Sequence, residues 1–166
     1  IRGNQIGQYQ TIASPVEYCP TSVSNRDHYK YRRIVFQEVS NSGLAKRVKA
    51  TILENILCGH TTNYIIPKKN QSLEAVLGLL NSSTVNFYFK FYNQTNHIPI
   101  GEIKKIPVPD NFLSESKKIK LIVDKILSAK EKNPQADTSK FEKQLDEMVY
   151  KLYELTQEEI KTIEGN

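Results

Sequence analysis

The sequence predicts an α+β chain: a mixed β-sheet domain with short helices over residues 1–112, then an antiparallel helical hairpin over residues 113–166. Three observations carry this. β-Branched and aromatic runs with strand patterning lie in the first part, and apolar stripes at helical spacing, opened by capping residues, fill the last third. The charge divides at the same place. Residues 1–112 hold 13 Lys and Arg against 7 Asp and Glu, whereas residues 113–166 hold 10 against 11. The net charge of +5 is therefore a basic domain joined to a charged but balanced segment.

Residues 1–31 are polar and are expected to be irregular with short strands. Arg33 to Val39 is β-branched and aromatic and reads as a buried strand. Asn41-Ser42-Gly43 is a turn. Arg47 to Leu53 reads as a second strand, in which Val48, Ala50 and Ile52 face the core and Arg47, Lys49 and Thr51 face out together. Tyr64 to Pro67 is a short third strand ended by proline. Ser72 caps a helix over Leu73 to Leu80, whose positions 73, 76, 77 and 80 keep helical spacing. Thr84 to Tyr92 continues as a second helix, although Phe87 to Tyr92 also suits a strand. Ile98 to Pro109 reads as a loop, a turn and an edge strand through Ile106 to Val108.

Beyond residue 112 the texture changes. Ser114 is placed as the cap of a helix with Ile119, Ile122, Val123, Ile126 and Leu127 on one face, broken at Asn133-Pro134. Ser139 with Glu142 forms a capping box before a helix carrying Phe141, Leu145, Met148, Val149 and Leu152, and Thr156 with Glu159 opens a short last helix. Two amphipathic helices joined by a short polar loop make a hairpin.

Several classes of function fall away. The longest apolar run, Ala75 to Leu80, is far short of a membrane span, and no leader opens the chain, so a cytoplasmic protein is expected. The first residue is Ile1 rather than Met, which reads as a piece of a longer polypeptide. Cys19 and Cys58 have no metal-like spacing. The sequons at Asn70, Asn81 and Asn93 are treated as chance. His28, His60 and His97 lack partners at metal spacing. There is no Gly-rich phosphate loop, no Asn-Pro-Pro-Tyr run, and Asp110 with Glu115-Ser116-Lys117 is too compact for a metal-dependent nuclease pattern. No convergent acid, base and nucleophile set is visible, so the chain is not read as an enzyme.

The basic clusters say more. They are Arg26, Lys30, Arg32 and Arg33; Lys46, Arg47 and Lys49; Lys68 and Lys69; and Lys104 and Lys105, interleaved with Tyr29, Tyr31, Tyr64 and Tyr92. Lys and Arg neutralise phosphates, while Arg, Asn and Gln match the edges of guanine and adenine. The plainer alternative is a solvated basic surface. On chemistry and position, Arg32, Arg33, Lys46, Arg47, Lys49, Lys68 and Lys69 are the expected phosphate or base contacts. Asn93, Gln94, Asn96, His97 and Lys104 are the expected reading residues, within or beside a polar loop over Tyr92 to His97.

The order of motifs is also familiar. Arg2-Gly3-Asn4-Gln5-Ile6-Gly7-Gln8-Tyr9 resembles the Arg-Gly-x-x-Ile-x-x-Tyr opening of a family. Ile34 to Ser40 followed by Arg47 to Thr51 resembles its paired strands, Leu77 to Phe89 its Leu-Asn-Ser helix, Gly101 to Pro109 its Ile-Pro-x-Pro strand, and Leu145 to Ile160 its closing helices. That family is the C-terminal specificity, or target-recognition, domain of restriction-modification DNA methyltransferases. It takes in the TaqI-like adenine methyltransferases and fused Type IIG restriction enzymes, and is related to the specificity subunits of Type I systems.

The resemblance implies a prokaryotic recognition domain that docks in the major groove of double-stranded DNA. It further implies a methyltransferase domain upstream of Ile1, which would bind S-adenosylmethionine and flip an adenine, with DNA cleavage a further activity of some parents. No cofactor is expected in residues 1–166 themselves. The hairpin would pack on the domain or on a neighbouring subunit. The alternative reading is a protein-interaction module that uses the hairpin's apolar stripes, its basic surface being incidental.

Overall fold

The computed structural model describes residues 1–12, 27–59, 61–68 and 70–165. Arg26, His60, Lys69 and Cys19, named above, lie outside these. The described residues are α+β. Strands β1 (Arg33–Gln37), β2 (Ala50–Leu53) and β3 (Thr62–Ile65) form one sheet in the order β2-β1-β3, with both pairs antiparallel. Helices α1 (Leu73–Asn81), α2 (Ser83–Tyr92), α3 (Ile100–Ile103), α4 (Phe112–Lys132), α5 (Ser139–Leu152) and α6 (Gln157–Glu164) follow.

β1 is central and buried on both faces, which is why its sequence is a continuous apolar run rather than an alternating one. Ile34 and Phe36 join the main core beneath the helices. Val35 faces a second, smaller core with Ile6 and Leu53, closed by Ile1, Ile56, Cys58 and Tyr64. The N-terminal segment therefore forms a cover over one face of the sheet. Gly3 lies so close to this cover's base that a Cβ would stand 2.3 Å from the Thr61 carbonyl oxygen. Tyr9 is buried with a positive φ of 60°. The Arg-Gly-x-x-Ile-x-x-Tyr motif thus docks the chain's opening segment.

β2 is shorter than the expected Arg47 to Leu53, and its facing pattern differs. Val48 and Ala50 are buried as expected, but so are Arg47 and Thr51. Two asparagines close this edge. Asn86 Oδ1 accepts from the Val48 amide (2.7 Å); Asn81 Oδ1 accepts from the Ala50 amide and its Nδ2 donates to the Ala50 carbonyl, both at 3.0 Å. Side-chain amides replace a neighbouring strand, and the edge is covered on both sides.

Ser72 caps α1, accepting from Ala75 N. Phe87 to Tyr92 is helical within α2, whose first turn is capped by Ser82 and tied to α5: Asp146 accepts from Ser83 N at 2.7 Å and Ser83 Oγ at 2.6 Å. Burial raises the pKa of Asp146 against the lowering effect of these bonds. The expected edge strand at Ile106 to Val108 does not form. Pro107 and Pro109 have no amide to give to a ladder, and the segment is held instead by Tyr153, whose hydroxyl donates to Pro107 O (2.7 Å). The expected loop before it contains α3, opened by Pro99.

The helical hairpin is α4 and α5. Asn111, not Ser114, precedes α4, and Thr138, not Ser139, precedes α5, with Thr138 Oγ1 donating to Glu142. The capping box at Thr156 and Glu159 forms as expected. The stripe residues Ile119, Val123, Ile126, Leu145, Val149 and Leu152 are buried in the same core as Ile34 and Phe36. At Gly78 a Cβ would come within 2.7 Å of Val123 and 3.2 Å of Leu145, so α1 lies against both hairpin helices. The apolar core therefore runs unbroken past residue 112, with the stripe residues Ile122, Leu127, Phe141 and Met148 partly buried against it.

Candidate nucleic-acid interface

The basic and amide residues fall at two ends of the sheet. At the end where β1 finishes, the chain continues through Glu38, Val39 and Ser40, and the loop after α2 runs alongside it. Ile98 N donates to Glu38 O (2.7 Å), Ser40 N donates to Asn96 O (2.9 Å), and Val39 bridges His97. The Asn41 to Ala45 turn joins in, because Ser42 N donates to Asn96 Oδ1 at 2.9 Å. The result is a composite surface of two loops. Gln94 and His97 are exposed on it and, among the described residues, their side chains have no hydrogen bond or ion pair. Val39 and Leu44 add exposed apolar side chains beside them. The turn could not be joined to the loop from the sequence, since more than fifty residues separate Ser42 from Asn96.

The expected reading residues divide. Gln94, Asn96 and His97 are exposed, but Asn93 is buried at the loop's root, where Oδ1 accepts from the Thr95 amide and hydroxyl, both at 2.9 Å. Lys104 is exposed and has no side-chain partner among the described residues. Its neighbour Lys105 donates to Tyr92 Oη (2.8 Å) and pairs with Glu102 (3.0 Å) next to the loop.

Two of the expected phosphate or base contacts are buried. Arg33 is 2% exposed and Arg47 0%. Arg33 donates to the carbonyls of Tyr29 and Ile56 and lies over the Tyr64 ring. Arg47 donates to the carbonyls of Asn93 and Thr95 and lies over the Phe89 ring. Both tie loops to the sheet with guanidinium forks, and neither offers its charge to solvent. The physical reasons differ: Arg33 lies on a strand covered on both faces, and Arg47, just before β2, is covered by α2 and the 93–97 loop.

The remaining cations are accessible to different degrees. Lys49 is half-buried and Lys68 exposed, both without a side-chain partner among the described residues. Lys46 is half-buried and paired with Glu142 at 3.5 Å. Arg32 is exposed but paired with Glu74 at 2.6 Å. Arg32 and Lys68 stand near the start of β1, where β3 leaves it, and Arg32 is roughly 23 Å along the strand from Val39. The structure therefore does not gather the expected set on one patch. Lys46 and Lys49 lie on either side of Arg47, which holds the reading loop, Lys104 caps the end of α3 beside the Lys105 that bonds Tyr92, and Arg32 and Lys68 stand apart.

Glu74 explains Arg32. Burial raises its pKa, but its own backbone amide at the helix start and the cations Arg32 and Lys120 outweigh this, and the carboxyl ends below its ordinary 4.5. A depressed carboxylate gives stability that is present above the unfolded value and lost as the pH falls through the folded one. Glu74→Gln is therefore expected to be less stable than the wild type above about pH 4.5, with the gap closing under more acid conditions; urea titrations across that range check it.

Among the described residues, no group of three or more His, Cys, Asp and Glu is placed to hold a metal, and no helix is long and apolar enough to cross a membrane. What the fold builds is a loop surface of hydrogen-bonding side chains on a rigid sheet, the form of a recognition module. Residues 1–108 match the family model of the TaqI-like C-terminal specificity domain, and the chain belongs to that family. Its role is target recognition in restriction-modification enzymes, and a specificity domain is not itself the catalytic part. No curated protein matches the chain. The family match ends before α4, so the hairpin lies beyond it.

Proposed function

We propose that this chain reads a specific sequence in double-stranded DNA through the composite loop surface, and that it directs an adenine methyltransferase domain, placed before it in the same polypeptide, to that site. The observation that carries the reading is the pairing of the 41–45 turn with the 94–97 loop through Ser42 and Asn96. Gln94, Asn96 and His97 supply donors and acceptors for base edges in the major groove, and Val39 and Leu44 supply apolar surface for thymine methyl groups. Lys46, Lys49 and Lys104 flank this surface and neutralise phosphates, while Arg32 and Lys68 reach a more distant stretch of backbone. S-adenosylmethionine belongs to the methyltransferase domain in this account.

Sequence information comes from the loops and general affinity from the lysines. Binding of a 30-base-pair duplex, followed by fluorescence anisotropy between about 50 and 200 mM salt, is expected to weaken steeply, the slope of log K against log salt being about −0.9 for each phosphate neutralised. The chain is to be measured alone and joined to its methyltransferase domain. Undetectable binding at low salt in both forms rejects the proposal.

A further inference from the structure

We infer that Arg47, though sealed from DNA, sets the base preference of the reading surface by fixing the 93–97 loop from beneath. The inference rests on the DNA-recognition reading above. Arg47 is 0% exposed, and no carboxylate pairs with it among the described residues. Its Nη1 donates to Asn93 O, its Nη2 to Thr95 O, and its guanidinium carbon lies 5.1 Å from the centre of the Phe89 ring. Its Nε is buried without a partner.

A buried cation with only dipoles and a ring face around it is an expensive way to fill space. Its neighbours Val48 and Ala50 fill the same layer with apolar side chains. What arginine adds is a planar fork that holds two carbonyls at a fixed separation. Those carbonyls belong to Asn93 and Thr95, so the exposed Gln94 is the residue between the two held points. Asn93 adds a second internal tie by accepting from Thr95 N, and Asn96, one residue further on, carries the bond to Ser42. Every reading side chain is thus within one or two residues of a group anchored to Arg47. Base readout by hydrogen bonds needs donors held to within about 0.5 Å, and a loop released from its anchors does not keep them there. Arg47 is a positioning residue, and its charge plays no part in phosphate binding.

Arg47→Lys tests this, because it keeps the charge and removes the fork. The probe is a pool of duplexes with a randomised centre, from which the wild type enriches a motif. The expected result is a folded variant, by thermal unfolding, whose affinity for unselected pool DNA and whose salt slope match the wild type. Its preference for the wild-type motif over the pool falls by at least about 10-fold, since one misplaced base-reading group is worth that much. Asn93→Ala, which loosens the same loop without touching the buried cation, is expected to show the same pattern more weakly and decides the matter should Arg47→Lys unfold. An unchanged preference in the folded variant, or in Asn93→Ala, overturns the inference. So does a salt slope lowered by about one phosphate in a folded Arg47→Gln, which removes the charge and would make Arg47 a direct ligand of the DNA backbone. A wild type that enriches nothing overturns the recognition reading and this inference with it.

Discussion

Asn81→Ala is expected to lower the unfolding free energy by roughly 2–4 kcal/mol, a loss on the scale of truncating a large core side chain although the residue is polar. Asn81 is 1% exposed, and its amide makes a two-bond ring with Ala50, accepting from Ala50 N and donating to Ala50 O. The carbonyl of Ala50 keeps a second donor after truncation, the amide of Tyr9 at 2.8 Å. The Ala50 amide keeps none, and a buried donor left alone costs about 1–3 kcal/mol. The space vacated by the side chain adds a cavity term. Asn81→Asp separates hydrogen bonding from packing. It keeps the shape and the acceptor, but sets a carboxylate oxygen against the Ala50 carbonyl and buries a charge. It is expected to be at least as damaging near neutral pH and to recover relative to the wild type in acid, where a protonated carboxyl again donates. Urea denaturation of the three proteins at two pH values measures this. In Leu80-Asn81-Ser82 the asparagine finishes the sheet and the serine caps the next helix.

The second large effect is on recognition. Gln94→Ala, Asn96→Ala and His97→Ala combined are expected to reduce the preference for the target motif over random duplex by roughly 10²- to 10⁶-fold, at about 1–3 kcal/mol for each good base-reading side chain removed. Affinity for random DNA is expected to change little, because no Lys or Arg is removed. Removing Lys49 and Lys104 should do the opposite, weakening binding to all sequences and flattening the salt dependence while leaving the motif recognisable. The two variants, compared on the same selected duplex and on random duplex, measure whether reading and general affinity are separable in this chain. Asn96→Ala also removes the acceptor for Ser42 N, so its single variant reports how far the 41–45 turn takes part in reading.

Much of the architecture is legible in the residues, and what is not has physical causes. The class and the hairpin follow from the change of period from strand-like to helical, and Ser72 and Thr156 act as caps as expected. The caps of α4 and α5 each lie before the expected serine, because polar residues cluster there and several compete for the role. Asn81 and Asn93 read as formal glycosylation sites, yet both side chains are buried and bonded to the backbone. The site is harder. Alternation along a strand fixes which side chains share a face, but not whether that face is solvent or a second layer. The pattern alone therefore turns Arg47 and Thr51 to water, while the fold encloses them. The reading loop itself is visible, as a polar run between an aromatic helix and a proline-rich segment. Its partner turn is not, because their association is long-range and rests on one amide and one asparagine oxygen.

The central claim is that this chain selects a DNA sequence through the paired loops at one end of its sheet. Enrichment from a randomised duplex pool, by the chain joined to its methyltransferase domain, tests it most directly. The expected result is a defined motif of several base pairs that fades when Gln94, Asn96 and His97 become alanine. A folded protein that binds the pool but enriches no motif, or a motif untouched by those three substitutions, would contradict it.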